Sequence, residues 1–523
     1  MGGHGHSARR SRPRPGSSRM DYVREILDAR VYDVATHTPL DRMTRLGARL
    51  GRDVLLKRED MQPVFSFKIR GAYNRIARLS EDERRAGVVC ASAGNHAQGV
   101  ALSAQRLGVE ALVVMPVTTP PIKIDAVRHF GGEVLLHGDT FDDAYAFARM
   151  MGAERGMTFV HPYDDPHVIA GQGTIGVEIM QDHPRPIEAL FVPIGGGGLA
   201  AGIASYVKYL RPQVKVIGVE PADAASMKAA LEADERVVLP RVGLFADGVA
   251  VRQVGEETFR LCRELLDDVL TADTDEICAA VKDIFEDTRV LAEPAGALSL
   301  AGLKAYAARG GEPRGALIAI NSGANMNFDR LRHVAERAEV GEAREILLAA
   351  TIPEERGSYR RFIEMIGGRT ITEFNYRYAS GSAAHVFVGL KLTDAAREKP
   401  ELISGMEAAG YSVLDISSDE IAKLHIRHMV GGRGQGISDE IVLRFEFPER
   451  PGALLRFLEA VGSDWSITLF HYRNHGADYG RVLVGLQVPA ADRPRFDEKI
   501  ASLGYPFEDE SDNAAYRMFL GPS

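Results

Sequence analysis

Four short segments of the 523-residue sequence carry side chains whose types and spacing could do chemistry together. In Ser66-Phe-Lys-Ile-Arg-Gly-Ala-Tyr73, Lys68 has close apolar neighbours and follows the charged run Lys57-Arg-Glu-Asp60. An amine held partly dry and near other cations has a lowered pKa and can form a Schiff base; the alternative is a solvated charge at a helix start. In Ser92-Ala-Gly-Asn-His-Ala-Gln-Gly99, small residues would let backbone N–H groups approach an anion where a helix begins. Asn95 could equally cap that helix. Pro193-Ile-Gly-Gly-Gly-Gly-Leu199 has more glycine than a simple turn needs and suits a loop wrapped around a phosphate. It lacks the Gly-Lys-Ser/Thr end of a nucleoside-triphosphate loop and the Gly-x-Gly-x-x-Gly spacing of a dinucleotide site. The fourth segment, Asn321-Ser-Gly-Ala-Asn325, offers one neutral hydroxyl, Ser322, which alone is only a turn residue. A Schiff-base lysine, a cradle for one phosphate and polar loops together describe a site for pyridoxal phosphate.

Each segment follows a short apolar run, and that pattern says what must position it. Strands are expected at residues 53–57, 87–92, 110–115, 133–137, 189–194, 214–220 and 316–321. Helical stretches such as 95–107, 140–155 and 199–210 lie between them. This alternation predicts βαβ units and a mainly parallel sheet, with ligands at the carboxyl ends of its strands.

Beyond residue 345 an internal repeat replaces that alternation. Ile371-Thr-Glu-Phe-Asn-Tyr-Arg377 returns as Ile467-Thr-Leu-Phe-His-Tyr-Arg473, and Val386-Phe-Val-Gly-Leu390 as Val482-Leu-Val-Gly-Leu486. Pro353 to Gly357 and Arg361-Phe362 recur as Pro448 to Gly452 and Arg456-Phe457. Each copy reads as βαββαβ, a ferredoxin-like unit. The expected domains are a disordered basic tail at 1–20, a catalytic unit at 21–335, and two small regulatory units at 345–420 and 440–515.

Composition narrows the function class. The formal charge of −9 argues against a nucleic-acid or anionic-membrane binder. The three cysteines form no Cys-x-x-Cys pair, so neither a disulfide framework nor a thiolate metal site is expected, and a reducing, cytoplasmic setting fits. The tail holds five arginines and no acid. It reads as a disordered start, with a plastid transit segment as the alternative.

From about Val31 to its C-terminus the sequence resembles the biosynthetic threonine ammonia-lyases (threonine deaminases), a regulated family of fold-type II pyridoxal-phosphate enzymes. The resemblance rests on SFKIRGAY, SAGNHAQG, GGGGL and SGANMNF in that order, and on the repeats with EFNYRY and LFHYR. It implies an α/β fold: a tryptophan synthase β-like catalytic unit of two parallel-sheet subdomains, plus two ACT-like domains. Lys68 would hold pyridoxal 5′-phosphate and act as base, and Phe67 would pack by its ring. Asn95 would bond the ring's 3′ oxygen, and Gly195, Gly196, Gly197, Gly198 and Leu199 would present N–H groups to the phosphate. Ser322 would face the ring nitrogen, and Ser92, Ala93, Gly94, Asn95 and His96 would surround the substrate carboxylate. The implied reaction turns L-threonine, and secondarily L-serine, into the 2-oxo acid and ammonia. Isoleucine would inhibit and valine oppose it, with Tyr376 and Tyr472 expected at the effector sites of a homotetramer. Serine dehydratase, serine racemase and threonine synthase share related motifs, but the paired C-terminal units favour the threonine enzyme. The reading from another class is a non-catalytic amino-acid sensor, against which Lys68 and the intact glycine loop speak.

Overall fold

The computed structural model describes residues 21–341, 345–353, 358–367, 369, 371–377, 383–426, 439–448, 465–473 and 479–520. The expectation for the tail at 1–20 lies outside them, as do Arg456, Phe457 and most of the two Pro-to-Gly segments.

Ten strands build the catalytic half: β1 (Leu40–Arg42), β2 (Val54–Arg58), β3 (Val88–Ala91), β4 (Ala111–Met115), β5 (Glu133–Leu136), β6 (Thr158–Phe159), β7 (Ile187–Pro193), β8 (Lys215–Pro221), β9 (Asp268–Ala272) and β10 (Ala316–Asn321). They form two sheets, ordered β1-β2-β10-β7-β8-β9 and β5-β4-β3-β6. All neighbours are parallel except the edge strand β1. Parallel sheets are covered on both faces, so their strands are apolar throughout. In β7, Leu190 and Val192 enter one core, while Ala189 and Phe191 enter the other. Helices cover the sheets, and their ends are written in the sequence. Thr140 and Asp143 form a capping box ahead of Phe141–Arg155, and Gly156 closes that helix at φ 67°.

All seven expected strands are present. The reading missed β1, β6 and β9, of which β1 is polar and β6 has only two residues. The loops after β2, β7 and β10 on the large sheet and after β3 on the small one face each other across a cleft.

Among the described residues the regulatory half has eight strands: β11 (Glu345–Pro353), β12 (Ile371–Arg377), β13 (Ala383–Lys391), β14 (Ser412–Asp415), β15 (Glu440–Pro448), β16 (Ser466–Arg473), β17 (Tyr479–Gln487) and β18 (Phe507–Asp509). Both sheets have the same antiparallel order, β12-β13-β11-β14 and β16-β17-β15-β18. The register shifts between Ile371 and Glu373 in one and between Ile467 and Leu469 in the other. The repeat thus preserves a local irregularity as well as a strand pattern. Tyr376 pairs with Val386 and Tyr472 with Val482 along the backbone; both tyrosine side chains lie outside the described residues. Leu347, Ala349 and Phe387 of the first sheet share a core with Val442 and Leu483 of the second.

The helix Arg330–Gly341 leads from one half to the other. At one end Arg330 donates to Asp247 and to the Leu244 carbonyl of the catalytic half. Further along, Arg337 pairs with Asp275 and with Glu420 of the first regulatory domain. Lys423 completes this cluster 2.6 Å from Asp275.

Candidate active site

Lys68 is the first residue of the helix Lys68–Ala77. The chain before it is fastened to the Ser322 loop: Phe67 N–H donates to Ser322 O (3.2 Å) and Ala324 N–H to Phe65 O (2.9 Å). That bridge delivers the lysine of β2's loop to the serine of β10's loop. Lys68 Nζ donates to Pro162 O at 2.9 Å. Burial lowers its pKa from 10.5 to about 8, and Glu293 opposes that fall. The cations at 57–58, expected to depress Lys68, are engaged elsewhere. Lys57 pairs with Glu178, and Arg58 with Asp60 and Asp41. Burial, and not a cationic neighbourhood, lowers Lys68.

Behind Lys68 lies a dry ion cluster. Arg70, Glu59, Glu178 and Lys57 have fully buried side chains. Arg70 reaches Glu59 at 2.8 Å and Glu178 at 2.6 Å. The cluster ties Lys68's helix to Pro166–Asp182 and to the loop after β2.

Gly195–Gly197 fill the turn between β7 and the helix Gly198–Leu210. Gly197 has φ 97°, in the region where a side chain is strained. A Cβ on Gly196 would lie 2.1 Å from the Tyr163 ring. Thr258 Oγ1 donates to Gly196 O at 2.6 Å, holding the turn from outside. The first N–H groups of a helix have no acceptor within it, so this turn opens a set of donors toward the cleft.

Asn95 opens the helix Asn95–Leu107 without capping it; Gly94 holds the cap position. Instead Asn95 Nδ2 donates to Glu293 Oε1 and Asn95 Oδ1 accepts from Asn325 Nδ2, each at 2.6 Å. His96 Nε2 sits 2.9 Å from Val160 O, and burial together with Lys68 pushes its pKa down to about 3. A neutral ring therefore donates through Nε2. Ser322 is 3% exposed, and its Oγ donates to Ala295 O at 3.2 Å.

One cavity of about 1260 Å³ is lined by Phe67, Lys68, Ser92, Ala93, Gly94, Asn95, His96, Gly195–Gly198, Leu199 and Ser322. Residues from four loops remote in sequence thus meet in one place. The second regulatory sheet reaches its mouth through Arg444, Phe507 and Glu508, and Glu508 lies 3.5 Å from Arg241.

Sequence reasoning passed over several lining groups. Tyr163 buttresses the glycine turn. Asp247, in a loop between β8 and β9, pairs with Lys123 (2.8 Å) and Arg330 (3.2 Å), which together hold it well below the usual carboxylate range against the effect of burial. Glu293 stands alone before Pro294, in no motif that marks it as part of the site. Burial and the Asp247 charge push it up to about 7, with Asn95, Lys123 and Arg330 opposing.

The donor set fits pyridoxal phosphate. It joins an amine of lowered pKa, a glycine turn in which a Cβ has no room, and a polar loop at a second helix start.

Comparison with known proteins agrees. Residues 31–323 match the family model of the pyridoxal-phosphate dependent enzymes. Residues 336–426 and 431–520 each match the C-terminal regulatory domain of threonine dehydratase. The chain is 58% identical to the biosynthetic L-threonine dehydratase IlvA of Burkholderia multivorans, over 96% of this chain and 99% of that one. Identity to the Escherichia coli protein of that name is 55%, over 96% and 97%. The processed form of threonine deaminase isoform 2 from Solanum lycopersicum superposes with a TM-score of 0.60 at 50% identity, covering 61% of this chain and 92% of that one. The chain therefore belongs to the biosynthetic threonine dehydratases, pyridoxal-phosphate-dependent lyases with a doubled C-terminal regulatory domain.

Proposed function

We infer that this chain dehydrates and deaminates L-threonine to 2-oxobutanoate and ammonia, the entry step of isoleucine biosynthesis. The observation that carries this is Lys68 beside the glycine turn and the Ser92–His96 loop in one cavity, in a chain that also holds two regulatory repeats. Bound here, pyridoxal phosphate supplies the electron sink that lets an amino acid lose its α-proton. Lys68 Nζ would hold the cofactor and serve as the base for that proton; burial lowers its pKa, which favours the neutral amine a base needs. Gly195–Gly198 and Leu199 would bind the phosphate through backbone N–H groups, and Phe67 would pack by the ring. Asn95 would offer Nδ2 to the 3′ oxygen. Ser92, Ala93, Gly94 and His96 hold the substrate carboxylate at the start of Asn95–Leu107, where donors are free and the helix dipole is positive. The β-hydroxyl then leaves as water, and the released enamine hydrolyses to the 2-oxo acid and ammonia.

Ser322 would face the ring nitrogen with a hydroxyl, which could not keep a permanent proton there as a carboxylate would. That favours rapid elimination over reprotonation or transamination. In Ser322→Asp the ratio of elimination to transamination falls; an unchanged ratio removes this role.

Isoleucine inhibits and valine opposes it through the regulatory domains, with Tyr376 and Tyr472 at the effector sites of a homotetramer. L-Serine is a second substrate. A cytoplasmic setting is consistent with Cys90, Cys262 and Cys278, which are free and buried. Among the described residues no helix is long and apolar enough to cross a membrane.

The test is 2-oxobutanoate formation from threonine by the full chain, with and without isoleucine. Product without isoleucine and less with it supports the inference. No product, or isoleucine inhibition intact in both Tyr376→Leu and Tyr472→Leu, overturns the activity or the effector placement respectively.

A further inference from the structure

Glu293 stands at the cap position of the helix Pro294–Ala308, yet its side chain makes no capping bond. Its N–H donates to Gly323 O at 3.1 Å, which locks it beside the Ser322 loop. It is 5% exposed and lines the cavity. Space has been cleared around it: a Cβ on Gly323 would fall 2.5 Å from Oε1. A buried carboxyl that neither caps its helix nor forms a direct ion pair in the described contacts calls for another role.

The hydrogen-bond chain supplies one. Val64 O accepts from Asn325 Nδ2 at 2.8 Å. A peptide carbonyl can only accept, so Asn325 turns its amino group that way, and that group also reaches Asn95 Oδ1 at 2.6 Å. At the other end Glu293 Oε1 accepts from Asn95 Nδ2 at 2.6 Å, as a carboxylate must and as the carbonyl oxygen of a carboxylic acid also does. With an acceptor at each end, only one orientation of both amides satisfies every group. Asn95 Nδ2 carries two hydrogens, one of which goes to Glu293. The second remains for a ligand in the cavity.

We propose that Glu293 is the positioning residue for Asn95, holding its amide so that Nδ2 and not Oδ1 is presented to the 3′ oxygen of the cofactor. This rests on the placement of Asn95 at that oxygen. Without Glu293 the amide can flip, and a carbonyl oxygen would then oppose the cofactor's oxygen.

The test compares E293M, E293D, E293Q and N95A as purified holoenzymes. Methionine keeps the length of the side chain and removes the acceptor; aspartate keeps the charge but draws it back. Glutamine keeps an acceptor oxygen. The readouts are the position and circular dichroism of the cofactor's long-wavelength absorption band, with kcat beside them. E293M and E293D move the band as N95A does and lower kcat by about tenfold, the size expected for one charge-assisted hydrogen bond. E293Q restores the band and stays within about twofold of the wild-type kcat. The double variant E293M/N95A moves the band no further than N95A alone, because Glu293 reaches the 3′ oxygen only through Asn95. An altered N95A beside unaltered E293M and E293D overturns the proposal alone, as do band shifts of E293M and N95A that add in the double variant. An unaltered N95A overturns the placement of Asn95 and the proposal with it.

Discussion

Lys68 should be chemically reactive before any cofactor arrives. Its pKa is lowered from 10.5 to about 8 because its side chain lies in a cleft between two sheets, with Glu293 pulling the other way. At pH 7 a group of pKa 8 is neutral in about one molecule in eleven, against about one in three thousand for an ordinary lysine, a gain of about 300-fold. A weaker base is also a weaker nucleophile. The dependence found for thiolates, a Brønsted slope of about 0.4–0.5, removes about ten- to twentyfold of that gain. The net advantage at pH 7 is about 15- to 30-fold. Competitive acetylation of the cofactor-free protein by acetic anhydride, read peptide by peptide by mass spectrometry, measures it directly. Labelling of Lys68 should level off above pH 8, while other lysines continue to gain. In E293Q the midpoint should fall further, because the removed carboxylate favours the charged amine. A Lys68 midpoint near 10.5, or labelling at pH 7 within threefold of the average lysine, would refute the claim that burial governs this amine.

Other substitutions probe the elements that hold the site. Gly196→Ala puts a Cβ 2.1 Å from the Tyr163 ring, so the ring or the turn must move. Overpacking of this kind costs about 1–3 kcal/mol, and equilibrium dialysis should show pyridoxal phosphate binding weakened by about five- to 150-fold. Arg70→Met leaves Glu59 buried without its ion-pair partner and Glu178 with Lys57 alone. Breaking a buried pair on one side costs about 3–5 kcal/mol, read as a lower midpoint in urea. Burial raises the Glu178 pKa, but Arg70 and Lys57 outweigh it and hold the carboxyl low. Its contribution to stability is therefore present above the unfolded carboxyl pKa and lost as pH falls through the lower folded value. In Arg70→Met that loss should begin at higher pH. Arg337→Met lies outside the catalytic cavity; kcat without effector should stay within about twofold while inhibition by isoleucine weakens by at least about fivefold.

Much of the catalytic half is legible because parallel strands buried on both faces are unbroken apolar runs, and Val88–Ala91 and Ala316–Asn321 can hardly be anything else. The four chemical loops follow from the same logic, since ligands gather at the carboxyl ends of such strands. What escaped was decided by tertiary contact. Asn95 has the residue type of a cap, but Asn325 and Glu293 claim its amide instead. Glu293 carries no local signal, because only the folded chain brings it to Asn95, 198 residues away in sequence. Lys57 and Arg58 read as neighbours of Lys68 along the chain, while in space they are committed to carboxylates of other elements. In the regulatory half the repeat is plain in the residues, and both copies keep the same shift of register.

The helix Arg330–Gly341 is pinned at its first residue and again at Arg337, and a rod pinned at two points works as a lever. Arg330 and Arg337 are seven residues apart, about 10 Å along the axis. A tilt of about 10° with Arg337 as fulcrum would carry Arg330 through about 1.8 Å. That is far more than the 3.2 Å bond to Asp247 tolerates. Asp247 would then keep only Lys123, on the small-sheet side of the cleft. A rotation of the first regulatory domain too small to alter its own core could therefore loosen the Asp247 loop, whose Gly248 lies so close to the site that a Cβ there would fall 3.7 Å from Glu293 Oε1 and 3.9 Å from Asn95 Nδ2, so the reach of this helix sets the mechanical advantage of one half of the chain over the other.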